Sequence, residues 1–120
     1  MAKHNEIGLL GEKLAVNFLT EKGYEILETN WRFKRAEIDI IAKQEDTLVF
    51  FEVKTRSSDF FGQPEEFVTS QKEDLMADAA GVYCEQVGHD WAIRFDIIGI
   101  VLKKNAPVIN HFEDAFFPSV

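Results

Sequence analysis

The sequence predicts an α/β domain of three layers, in which a central mixed sheet of about five strands carries helices on both faces. Two observations lead there. Two stretches repeat apolar residues at the three-and-four spacing of an amphipathic helix, and several short runs rich in Ile, Val and Phe read as strands. Their order is helix, three strands, helix, two strands, which suits a sheet covered on both sides. At 120 residues, the whole length 1–120 is expected to form one domain.

The elements follow in turn. Residues 5–22 read as the first helix: Ile7, Leu10, Leu14, Ala15, Phe18 and Leu19 share one face, and Gly23 ends it. Glu12 falls at the edge of that apolar stripe. Residues 24–33 read as a short edge strand. Residues 37–42 and 47–55 are the strongest strands, and the polar "KQED" between them makes an antiparallel hairpin. "DFFGQPEEF" reads as a loop. Ser70 then opens the second helix, with Glu73 three positions on completing a capping box, and Leu75, Met76, Ala79, Ala80 and Tyr83 forming its buried face. Residues 91–102 read as a buried strand, and "VINHFEDAF" contains a last short one.

Composition narrows the class. Hydrophobic residues make up 46% and charged residues 28%, as in an ordinary globular protein. Eleven Phe predict a core filled largely by rings, and the single Cys84 excludes an internal disulfide, so a reducing, cytoplasmic setting is expected. No apolar run approaches membrane-spanning length, and "MAKHNEIGLLGEKLAV" has no signal-peptide pattern, so no membrane association is expected. The net charge of −8 weighs against a polyanionic partner, but it is uneven. Residues 1–60 carry nine Lys and Arg against eleven Asp and Glu, whereas residues 61–120 carry four against ten. Arg32, Lys34 and Arg35, then Lys54 and Arg56, make local basic clusters on an acidic body.

Charge inside the hairpin is the unusual feature. Alternation puts Asp39 on one face with Glu37 and Ile41, opposite Ile38 and Ile40, and puts Glu52 and Lys54 together opposite Phe51 and Val53. A register that joins the two faces brings two carboxylates and an ammonium together. Such carboxylates repel unless a proton or cation lies between them. A hard cation such as Mg²⁺ favours one or two carboxylates plus waters and phosphate oxygens, and a nearby lysine suits a phosphoryl transition state. A metal-dependent phosphodiesterase needs that set. Glu-x-Lys on a strand is equally the pattern of a cross-strand ion pair.

The segments "GLLGEKLAVNFLTEKGYEILETNWR", "AEIDIIA", "LVFFEVKTR", "FGQPEEFVTSQK" and "RFDIIGI" resemble, in order and over nearly the whole chain, the YraN family of small bacterial proteins, UPF0102. That family is similar to the PD-(D/E)XK nucleases, with a restriction-endonuclease-like fold akin to Holliday-junction resolvases. The resemblance implies a nuclease in DNA repair or recombination whose site comprises Glu12, Asp39, Glu52 and Lys54. By that likeness Asp39 and Glu52, with the Val53 carbonyl, would hold Mg²⁺ or Mn²⁺. Lys54 would position the attacking water and Glu12 would complete the acidic cluster. The family usually has Gly where this chain has Ala36, which bears on how the backbone approaches the strand and removes no chemical group.

Arg56, Lys72 and Gln63 are the candidates for phosphate contact, with surface roles the commoner fate of the last two. Arg94 and Asp96 alternate on one strand face as a structural ion pair. His4, His89 and His111 lack zinc spacing, and "GLLGEK" lacks the context of a phosphate-binding loop. The expected partner is nucleic acid, probably not bound through bulk charge, with a two-fold homodimer matching a two-fold substrate. The competing reading is a non-catalytic nucleic-acid-binding or adaptor domain that keeps the nuclease fold.

Overall fold

The computed structural model describes residues 2–57 and 69–116. Helix α1 (Ala2–Glu21) leads into strands β1 (Glu25–Phe33), β2 (Ala36–Gln44) and β3 (Thr47–Arg56). Helix α2 (Ser70–Val87), then β4 (Ile93–Val101) and β5 (Val108–Phe112), complete the chain. The sheet order is β1-β2-β3-β4-β5. The first three strands form an antiparallel meander, β3 and β4 run parallel across the α2 connection, and β5 returns antiparallel. This is the mixed five-stranded sheet with a helix on each face that the sequence predicts.

Both helices end where glycine permits a left-handed backbone. Gly23 has φ 96°, with Tyr24 N–H donating to the Leu19 carbonyl, and Gly88 has φ 69°, with His89 N–H donating to the Cys84 carbonyl. Each is a Schellman closure of the last carbonyls. The start of α2 differs from expectation. Thr69 caps it, its hydroxyl accepting from Lys72 N–H at 3.2 Å, so Ser70 lies inside the first turn and makes no capping box with Glu73. Thr69 has the extended backbone (φ −81°, ψ 161°) that turns a side-chain oxygen toward the free N–H groups.

The hairpins are tighter than the composition of their turns implies. Gln44 pairs with Thr47, leaving only Glu45 and Asp46 as the turn, and Phe33 pairs with Ala36 around Lys34 and Arg35. Glu45 and Lys34 take the left-handed conformation, each at φ 54°. Ala36 is a regular strand residue, so the missing family glycine leaves the strand unstrained.

Two cores sandwich the sheet. On the α2 face Ile38, Ile41, Leu48, Phe50, Phe95 and Ile97 pack against Met76, Ala79, Ala80 and Tyr83. On the α1 face Ile40, Val49, Phe51, Ile98 and Ile100 pack against Ala15, Leu19 and Tyr24. Helix α1 comes closest at Gly11, where a methyl group would stand 1.8 Å from the Thr55 hydroxyl. Only glycine allows that approach, and it draws Glu12 toward the sheet.

Candidate metal and phosphate site

Strict alternation fails at one place in β2. Ile38 belongs to the α2 core and Ile40 to the α1 core, although two residues separate them. The paired register of β2 with β3 stops at Ile40 and Phe51, one step before Asp39 would meet Glu52. There the ladder opens. Asp39 bridges the gap with its side chain: Val53 N–H donates to Asp39 Oδ2 at 2.7 Å, in place of a backbone carbonyl. The expectation that Ile38 and Ile40 share a face is thereby corrected. The convergence of Asp39 with Glu52 stands, because both line one pocket of about 290 Å³ with Arg35, Ala36, Glu37, Lys72, Leu75 and Met76.

Glu52 is nearly sealed from water, with only 4% of its side chain exposed. Its Oε2 takes two ammonium groups, Lys72 Nζ at 2.5 Å and Lys54 Nζ at 3.6 Å. Its Oε1 is buried and accepts no hydrogen bond. A charged buried oxygen without a partner is costly, and it marks a place built for a ligand or an ion. Asp39 carries the complementary signature. Burial, then the Glu52 carboxylate, then Glu12 push its carboxyl up to about 7, against the opposing pull of Val53 N–H and Lys72. Two carboxylates this close share a single proton near neutral pH or share a cation.

The remaining candidates distribute as follows. Glu12 reaches Asp39 through its field but lines a different surface, a groove between α1 and β1 with Leu9, Leu10, Val16, Thr29 and Asn30. Among the described residues, no three His, Cys, Asp or Glu side chains gather as ligands of one ion. Glu37 lines the pocket and sits 3.6 Å from Arg32 in an exposed pair. Arg56 is half-buried at the end of β3, where its carbonyl accepts from Leu102 N–H. Gln63 lies outside the described residues, as does most of the preceding loop. Lys72 turns out to stand inside the pocket rather than on the general surface, because the first turn of α2 crosses over Glu52. The only sequence signal for that was its place in the first turn of α2.

The donor set fits a hard divalent cation. Asp39 offers Oδ1, Glu52 offers Oε1, and the adjacent Val53 carbonyl and waters could complete an oxygen shell of the kind Mg²⁺ and Mn²⁺ favour. Without such an ion the site costs stability, and the pH dependence has a definite sign. A carboxyl whose folded value is raised binds its proton more tightly in the folded state, so its contribution to stability declines as pH climbs from about 4 to about 7. Asp39→Asn removes that penalty and keeps an oxygen for Val53 N–H. In metal-free buffer the variant is expected to match the wild type near pH 4 and to exceed it at pH 8 by about 2–4 kcal/mol, measured by urea unfolding.

The fold and pocket belong to a recognised group of proteins. Residues 11–100 match the model of "Uncharacterised protein family UPF0102". A UPF0102 protein of Flavobacterium psychrophilum is 52% identical over 117 residues, covering 98% of both chains. One of Christiangramia forsetii is 49% identical over the same span and coverage, and one of Thermodesulfovibrio yellowstonii is 46% identical over 112 residues, 93% of this chain and 96% of its own. With the match spanning helix α1 through β4 and including Glu12, Asp39, Glu52, Lys54 and Lys72, the chain belongs to the UPF0102 family.

Proposed function

We propose that this protein is a metal-dependent phosphodiesterase that hydrolyses nucleic acid, with DNA as the expected substrate. One observation carries the reading: the buried Glu52 oxygen that accepts no hydrogen bond, in a pocket shared with a carboxyl raised to about 7 and edged by cations. A structural ion pair satisfies both oxygens of its carboxylate, and this one does not.

Each residue then has a task. Asp39 and Glu52, on two strands tied by the Val53 N–H bond, hold the cation ligands rigidly. A divalent ion bound there polarises the phosphate and lowers the barrier to attack by water. Lys54, on the same strand as Glu52 and 3.6 Å from its Oε2, orients the attacking water and offsets charge on the phosphorane-like oxygens. Arg35 and Lys72 at the pocket, with Arg56 two residues beyond Lys54, give the phosphate backbone points of contact. The acidic remainder of the molecule limits non-specific affinity for nucleic acid, so recognition rests on this local cluster.

The test is a panel of labelled substrates (duplex, single strand, flap, four-way junction and RNA) incubated with Mg²⁺, Mn²⁺ or EDTA. Cutting that requires the metal and prefers one DNA shape supports the reading and names the substrate. A folded protein that binds the panel without cutting any member under either metal favours the adaptor reading instead.

A further inference from the structure

Lys72 contacts Glu52 more closely than Lys54 does, although Lys54 shares a strand with it. The two lysines differ in freedom. Lys54 is held by the parallel ladder beside Gly99, and its side chain is 27% exposed. Lys72 projects from the first turn of α2 on a flexible four-carbon stem and is 36% exposed, so its ammonium can withdraw to water without moving the backbone. Its N–H, bonded to the Thr69 hydroxyl, stays in place whatever the side chain does.

We propose that Lys72 is an exchangeable counter-cation, which neutralises Glu52 while the site is metal-free and gives up that carboxylate when a divalent cation enters, freeing its ammonium for the scissile phosphate. This rests on the reading of Asp39 and Glu52 as cation ligands. A buried carboxylate needs a positive partner at all times. A doubly charged ion on Oε1 places two like charges on the same carboxylate as the Lys72 ammonium, and their repulsion falls on the more mobile group. Lys54 remains as the fixed cation. The released ammonium stays at the pocket wall, where a phosphate oxygen is the strongest remaining acceptor.

Exchange makes Lys72 a competitor of the metal, which gives it a signature that no packing role shares. Titration with Mn²⁺ by calorimetry would compare the full-length wild type with Lys72→Met, Lys54→Met and Glu52→Gln. Lys72→Met is expected to bind Mn²⁺ on the order of tenfold more tightly than the wild type. Lys54→Met removes an equal charge and is expected to gain clearly less, because its ammonium does not have to leave. Glu52→Gln is expected to lose binding. Lys72→Gln replaces the Met variant should the latter fold poorly by circular dichroism. Equal gains in the two lysine variants, or weaker binding in Lys72→Met, overturn the exchange while leaving the metal reading intact. Absence of Mn²⁺ binding in wild type and all variants overturns both.

Discussion

Glu52→Gln and Lys54→Ala are each expected to reduce metal-dependent cleavage roughly thousandfold or more, for different reasons that kinetics separate. Glutamine keeps the size of Glu52 and an acceptor oxygen, so the loss comes from the missing charge that a hard cation requires. Raising the Mn²⁺ concentration is expected to recover part of that activity. Lys54→Ala leaves both carboxylates in place and removes the group beside the attacking water, so extra metal recovers nothing. Circular dichroism is expected to be unchanged for both, since Lys54 is partly exposed and the glutamine fits the same cavity. Cleavage that survives both substitutions would move the chemistry out of this pocket.

The second large effect is on stability and lies on the opposite face of the sheet. Asp96 is fully buried and accepts four hydrogen bonds: Arg94 Nε and Nη2 at 2.8 Å each, His111 Nε2 at 2.7 Å and Asp114 N–H at 2.9 Å. Burial pushes its carboxyl up, but His111, Arg94 and the Asp114 N–H outweigh that and hold it below the usual carboxylate range. Since the ionised Asp96 can only accept, the His111 Nε2 carries the proton, and Nδ1 is free to accept from Lys22 at 2.8 Å. Arg94 Nη2 also donates to the Tyr24 hydroxyl at 2.6 Å. The network joins the end of α1, β4 and β5, and unlike the Glu52 site it leaves no Asp96 oxygen without a partner. Asp96→Leu is expected to cost about 3–5 kcal/mol, the range for a broken buried pair that strands its cation. A denaturation midpoint lowered with an unchanged slope, and metal affinity intact, would show that the two charged clusters are independent. Because the depressed carboxyl stabilises the fold only while ionised, this contribution is present above the ordinary Asp range and fades on acidification.

The contrast between these two clusters explains what the sequence could reveal. Helices and strands were legible because apolar periodicity directly encodes which face is buried, and Asp39 and Glu52 stood out as charges inside runs such as "IDIIA" and "VFFEV". The Arg94–Asp96 pair was legible too, as neighbours two apart on one strand. Its partners were not, since Lys22 and His111 meet across 89 residues through tertiary packing alone. Lys72 was hidden for the same reason: only the crossing of α2 over β3 brings its ammonium to Glu52. Thr69 and Ser70 both suit a helix cap, and the choice between them follows from the extended backbone at Thr69. The split of Ile38 and Ile40 between the two cores reflects a ladder that opens at Asp39, a departure that period-two reasoning smooths over.

The most direct test of the central claim is a crystal of the wild-type protein soaked in Mn²⁺ and measured at the manganese edge. The account predicts one anomalous peak in contact with both Asp39 and Glu52, about 2.2 Å from each ligand oxygen, with the Lys72 ammonium withdrawn from Glu52. A map with no peak between the two carboxylates, and Lys72 still seated on Glu52 at saturating Mn²⁺, would contradict it.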